Sequence, residues 1–519
     1  MRALIKQLAF VAILCSTITA KAQTKVFKEV SSEISSTMKL ILQDNSLVGY
    51  LMFTRLEAVS DDSFNYRITI MDENLNDIGT VNFKDESLFL QAVSFEQDIL
   101  CLAYVKSNFI GSEFKNKKAY KEARDRAKHA VVTQFLNLDG KIIGSNSITA
   151  DILPADNYYS REFIGGGRLK QPIQLNNIPG KGFALFYGDE KKNMLAAYDI
   201  TAKELWNKKP ANDAKNYIVL TSREDIFILT KKENEKREGG YEVIGFSAKD
   251  GGSYDKYVLK DKKGHQLKVL NFANDPVTGK PYIAGSIISE RRNGVSSVRD
   301  ITRGAYAGVF AIDITGPKKS DYKETFSYWY DESNAGFSEY GKTRENGSYS
   351  LLQTGFRDYN GNTFFAGSSV LKRTKWGSIA STIIFSPFVI PSIWIAAGGY
   401  TKYKETDATL LKLTSKGNLS LENYIPANSG KFRSSMNRNH SLPKSFYEVS
   451  NTNTKTNYVV VDDVKDIVVY NISKKKIART IPHKDGNSRI NVFPAKEGYI
   501  MVSEYNRKEK YTKLSIEAL

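Results

Sequence analysis

The stretch GFSEYGKT, Gly336 to Thr343, fits the G-x-x-x-x-G-K-[ST] spacing of a phosphate-cradling loop. That chemistry needs a helix directly after the threonine, so that successive N–H groups and the helix dipole hold phosphate. Here Asn346-Gly347 signals a turn and then a strand, so nucleotide hydrolysis is not expected. The segment stays a candidate for holding a single anion through Lys342 and Arg344. FIGGGRLK, Phe163 to Lys170, is a second anion candidate: three glycines followed by Arg168 and Lys170. Tyr158 and Tyr159 with Arg161 pair aromatic and cationic groups, which suits acidic glycans or stacked rings. Arg433 and Arg438 add cations in a further loop. The histidines His129, His265, His440 and His483 lack the Cys, Asp or Glu spacing of a zinc site, and no metal or cofactor is expected. No G-x-S-x-G elbow occurs, and Asp462-Asp463 reads as a hairpin turn, so no catalytic residue is assigned.

The elements that must carry these residues are strands. Period-two alternation runs along the chain and long helical periods are nearly absent. A hairpin recurs: an apolar strand such as GYLMFT, ILCLAYV, GFALFYG or GYIMVSEY, then a partner ending in a turn-forming residue. The turn residues are Asp72, Asn137, Asp199, Ser247, Asp313, Thr414 and Asn471, with Glu517 closing the last unit. Asx, Ser and Thr side chains bond their own backbone two residues on and so start the turn. A third strand often follows, and an inner-strand candidate such as YSLLQTGF (349–356) or NYIVLTS (216–222) precedes. Four antiparallel strands repeated this way predict an all-β fold, a β-propeller of about eight blades with seven as the alternative. One blade cannot cover both its faces, so blades stack radially and bury each other. The last unit lacks a strand, and the alternating KVFKEVSS (25–32) is expected to supply it and close the ring.

The hairpin AAYDITAKELWNK (196–208) resembles those of quinoprotein-type propellers, and the chain as a whole is similar to uncharacterised secreted bacterial propellers. That likeness implies the fold and no activity.

In such a ring, the connections between second and third strands share a face with those between blades. The long insertions 106–129, 289–306 and 371–407 are of the first kind. The long segments 154–172, 330–347 and 427–444 are of the second. One face is therefore elaborated, and elaborated loops on a rigid scaffold are where function usually sits. It is also basic: Lys115, Lys117, Lys118, Lys121, Arg124, Arg126 and Lys128 fall on a predicted short amphipathic helix, and Arg291, Arg292, Arg299 and Arg303 in the next insertion. The third insertion contains STIIFSPFVIPSIWIAAGGY (381–400), an uncharged run broken by Pro387 and Pro391. Two prolines four residues apart argue against a spanning helix. Burial against the propeller and an exposed apolar loop both stay open. In the second case Phe385, Phe388, Ile390, Ile393 and Trp394 would touch a protein or membrane.

Residues 1–22 read as a signal peptide: Arg2 and Lys6, an apolar Leu8 to Ile18, and Ala20-Lys21-Ala22 before Gln23. Residues 23–519 are then a single domain, exported to the periplasm, the outer membrane or beyond. Cleavage leaves Cys101 without a disulfide partner, so the core alone holds the fold. It removes Arg2, Lys6 and Lys21, taking the net charge from +17 to about +14. The resulting expectation is a non-catalytic binding or scaffold propeller whose basic face docks a protein, an anionic lipid headgroup or acidic glycan, or a membrane surface. Nucleic acid is not expected. The alternative is a glycan-active enzyme with carboxylates at the channel mouth.

Overall fold

A computed structural model describes residues 23–28, 35–44, 46–60, 63–109, 115–150, 172–188, 193–210, 214–232, 239–290, 298–334, 336–374, 401–427, 433–434 and 444–519. They form eight antiparallel sheets, each built on a blade of four strands that runs in sequence order from the inside outward in all but the eighth; the two-residue strands Arg433–Ser434 and Lys484–Asp485 add a fifth to the sixth and eighth sheets. The inner strands are Ser35–Gln43, Leu88–Glu96, Gln174–Ile178, Ala214–Thr221, Leu267–Asn274, Tyr349–Arg357, Ser445–Asn451 and Ser488–Pro494. The eighth blade takes its outermost strand from the other end of the chain. Gln23–Lys28 pairs with Tyr511–Ala518, from Gln23 opposite Ile516 to Lys28 opposite Tyr511. This is the expected closure, and it settles the count at eight. The rest of KVFKEVSS lies outside the described residues. Blade four has a short outermost strand, Tyr257–Val258, with an isolated bridge from Ser253 to Phe246 beyond it.

Eight buried clusters fill the eight blade interfaces. The second strands explain how. Their side chains alternate between two neighbouring blades, so both faces are buried and the strand reads as an unbroken apolar run. In GFALFYG, Phe183 and Leu185 pack toward blade two while Ala184 and Phe186 pack toward blade four. Tyr50 packs against Met501 and Ile516 of blade eight, and its neighbour Leu51 faces blade two. The closing strand is fastened to both sides: Phe27 packs on that last cluster, and Lys25 forms an ion pair with Asp77 of blade one.

The turns between third and fourth strands of blades one, two and three follow one recipe. Asp72, Asn137 and Asp199 each accept backbone N–H bonds from residues further along the turn. A left-handed residue sits three positions on: Leu75 (φ 68°), Gly140 (φ 84°) and Ala202 (φ 70°). The ladder shifts register beside each, as a bulged three-residue hairpin requires. Among the described residues no helix is long and apolar enough to cross a membrane.

Candidate functional site

Strand direction fixes two unlike faces. On one, the described ends of all six long connections emerge. Of the first insertion, Lys117–Asp125 folds as helix α1. Asn116 caps it by accepting from the Ala119 N–H at 2.9 Å. Tyr120 anchors it, buried against Phe109 with ring centroids 5.3 Å apart, and Ala123 and Ala127 rest on the cluster between blades two and three. With that apolar stripe turned inward, Lys115, Lys117, Lys118, Lys121, Arg124, Arg126 and Lys128 are all exposed. Lys118 and Glu122, 4.0 Å apart and both exposed, offset little of this charge.

Further round the same face, the loops of blades five and six share a satellite core of Ile288, Val298, Ile301, Ala305, Tyr306, Leu351, Val370 and Tyr403. The segment GFSEYGKT packs beside it as a compact turn. Phe337 bridges Thr343, and Thr343 is buried, with its hydroxyl bonded by Asn346, Ser348 and Tyr424. No helix follows Thr343, so the phosphate-loop mechanism is excluded. Lys342 and Arg344 are exposed at its tip. An aromatic and cationic cluster also forms on this face, at residues the sequence reading did not select. Tyr328 and Tyr330 stack at 5.2 Å, with the Lys263 ammonium 4.9 and 5.0 Å from their centroids. Asp261 holds the set by accepting from the Tyr328 hydroxyl at 2.7 Å, and His265 lies 2.7 Å from the same carboxylate. His129 and His483 are likewise engaged, with Ser107 and Asp462.

Several selected residues lie outside the described ones: Tyr158, Tyr159, Arg161, Arg168, Lys170 and Arg438, and Phe385, Phe388, Ile390, Ile393 and Trp394 of the apolar run. The ladder leading to that run continues to Thr374 opposite Thr401. Arg433 is placed by its backbone, which pairs with Tyr403.

The other face has short turns, and there the central channel opens into a cavity of about 610 Å³. Turns between first and second strands from seven of the blades line it: Asp44, Pro179, Ser222, Asp275, Tyr359, Thr452 and Glu497. Asn271, Tyr282, Arg357 and Glu448 stand in its wall. Arg357 is buried where blades five and six meet. Its Nη1 donates to Asp275 at 3.2 Å and to Asp313, and its guanidinium lies 4.7 Å from the Tyr282 ring. Burial pushes the Asp275 carboxyl up. Backbone N–H groups of Thr278 and Val277, together with Arg357, outweigh this and hold it below the ordinary carboxylate range. Glu448 is opposite in character. It accepts from Asn457, has no ion-pair partner among the described residues, and desolvation with the nearby Asp358 charge pushes it up to about 7. Sequence reasoning missed this wall. The one signal was a glutamate inside the half-apolar strand SFYEVSN.

Residues 2–137 match DUF6770, a family of unknown function. No curated protein matches the chain. Among solved structures, the Dos1 propeller is similar at 8% identity and TM-score 0.43, with 95% of each chain covered. The WD40 domain of SCAP from fission yeast is similar at 9% identity and TM-score 0.39, covering 96% of this chain and 98% of that one. Apo AztD from Citrobacter koseri follows at 10% identity and TM-score 0.38, covering 91% and 96%.

Proposed function

We propose that this is an exported binding propeller that docks through its elaborated face onto an anionic surface of the cell envelope, lipid headgroup or acidic glycan. The observation that carries this is α1. Its apolar side is spent on the propeller and its seven flanking and internal cations point outward, on the face from which every long connection emerges. Lys372, Arg373 and Lys402 add exposed cations at the base of the apolar run. Such an array gathers anionic partners over a Debye length and loses them as salt rises. Export rests on the N-terminal sequence. In its favour, the paired residues of the closing strand, Gln23 to Lys28, all follow Ala22, so cleavage there spares them. Mass spectrometry of the exported chain should give Gln23 as its first residue.

The docking test is co-sedimentation with vesicles containing phosphatidylglycerol, and in parallel with an acidic polysaccharide, over a salt series. Each basic residue near such a membrane contributes about 1 kcal/mol. Lys118→Glu, Lys121→Glu and Arg124→Glu together should weaken binding by at least roughly 100-fold at low salt. Equal binding by the triple variant, or binding indifferent to salt, would sink the proposal.

A further inference from the structure

We infer that the channel mouth on the short-turn face is a second binding site, for a hydroxyl-rich small ligand carrying a protonated amine, an amino sugar being the fitting class. The cavity's size is the first argument: about 610 Å³ falls inside the range of roughly 300–1,000 Å³ usual for small-molecule sites. It is also built of rigid parts, since short turns from seven blades converge on it.

Charge is the second argument. The chain carries a formal +17, yet this mouth presents four carboxylates, Asp44, Asp275, Glu448 and Glu497, against Arg223 and Arg357. Only Asp275 has a cation, Arg357. Asp44 and Glu497 accept from neutral donors, the Asn177 amide at 2.7 Å and the Thr452 N–H at 3.1 Å, but both are exposed and water meets their charge. Glu448 has only the neutral amide of Asn457 and faces the like charge of Asp358. Its ionised form lacks a cation, and a ligand ammonium supplies one.

The remaining donors and acceptors point to the same ligand chemistry. Among the described residues Arg357 makes hydrogen bonds through Nη1 alone, although its side chain is only 9% exposed. With both its carboxylates already on that nitrogen, Nη2 is left to a neutral oxygen rather than a further anion. Asn271 and Asn274 also line the mouth with side-chain amides. Ser222, Ser450, Thr452 and Tyr359 add hydroxyls around the rim. The set matches a ligand with one amine and several hydroxyl groups.

The test is calorimetric titration of the whole exported chain with the glucosamine trimer, and with its N-acetylated form as the neutral counterpart. The amine form should bind with Kd below about 1 mM, and at least about tenfold more tightly than the acetylated form. Glu448→Gln keeps the shape and the Asn457 contact, and should cost the amine form about tenfold while leaving the acetylated form unchanged. Arg223→Glu, at an exposed rim position, cannot disturb the core and should tighten amine binding severalfold. The α1 triple variant should bind the trimer as the wild type does, so failure of the docking reading leaves this one standing. Equal affinity for both trimers, no binding of the amine at about 10 mM, or indifference to both single substitutions would overturn the inference.

Discussion

Replacing Arg357 by methionine removes the charge that holds the channel wall together while keeping most of the packing volume. The side chains of Arg357 and Asp275 are 9% and 8% exposed, whereas Asp313 is 39% exposed and can turn to water. The loss therefore falls on Asp275. Breaking a buried pair from one side costs about 3–5 kcal/mol. Asp275 keeps backbone N–H bonds from Val277 at 2.9 Å and Thr278 at 2.8 Å, which argues for the lower end, about 3 kcal/mol. Unfolding entropy of about 2.1 cal/mol/K per residue, over 519 residues, is on the order of 1 kcal/mol/K. If the ring melts as one unit, Tm should fall by about 3 °C at pH 7. The sign with pH follows from the carboxyl. Its native pKa is held below the unfolded value, so it stabilises the fold above the unfolded pKa and stops doing so as pH falls through the native one. The deficit of Arg357→Met should therefore shrink toward about pH 4, where the orphaned carboxyl takes up a proton. Melts of Arg357→Met, Asp275→Asn and the double variant at both pH values check this. A deficit under about 1 kcal/mol, a deficit equal at both pH values, or strict additivity would refute the reasoning.

Two further perturbations probe the ring itself. Tyr66→Phe removes a fully buried hydroxyl that donates to the Glu86 carbonyl at 3.0 Å and accepts from the Leu88 N–H at 2.8 Å, joining blades one and two. Leaving that N–H unmet should cost about 1–3 kcal/mol, read as a drop in Tm, and an unchanged Tm would show the link to be dispensable. A chain begun at Glu29 lacks the closing strand and exposes the backbone edge of Tyr511–Ala518. It should melt lower and self-associate through that edge, and a peptide spanning residues 23–28 should reverse both effects. A truncated chain that stays monomeric with unchanged Tm would count against closure by this strand.

What the sequence disclosed was whatever repeats. Second strands sandwiched between two blades show as apolar runs, and Asp72, Asn137 and Asp199 mark hairpins whose side chains do bond the turn backbone. The closing strand was legible for a subtler reason: KVFK alternates, and it had no partner of its own nearby. Helix α1 was read from its run of cations, and the structure adds the apolar side, Tyr120, Ala123 and Ala127, that seats it. The channel wall was not legible. Arg357, Asp275 and Glu448 come from inner strands and turns of three blades, and Arg357 and Asp275 are 82 residues apart. Arg357 alone reads as an ordinary strand end and Asp275 as a turn residue, and Glu448 shows only as a lone glutamate within a half-apolar strand. Only ring geometry makes Glu448 a carboxyl without a counter-charge. The Tyr328, Tyr330 and Lys263 cluster escaped for the same reason, since Lys263 comes from an interblade turn 67 residues before Tyr330.

The two faces differ in what they can recognise, and the difference follows from loop length. A five-residue turn bonded to its own carboxylate, as at Asp358 with Asn360 and Asn362, has no slack. Hydrogen-bonding groups set on such turns hold their geometry before a ligand arrives, and little ordering entropy is lost on binding. That suits a small ligand whose few polar groups must be met individually. The exposed cations of α1 and of the strand ends on its face offer area and a wide positive field, which suit an extended anionic partner. The channel between them is framed by inner strands already stitched to one another: Asn176 donates to the Val219 carbonyl at 2.9 Å, Asn274 to that of Thr221 at 3.2 Å, and Thr221 to that of Asn177 at 2.6 Å. A frame bonded this closely passes little motion from one face to the other. Occupancy of the mouth should therefore leave vesicle binding unchanged, and coupling of more than about threefold between the two would show that the frame yields.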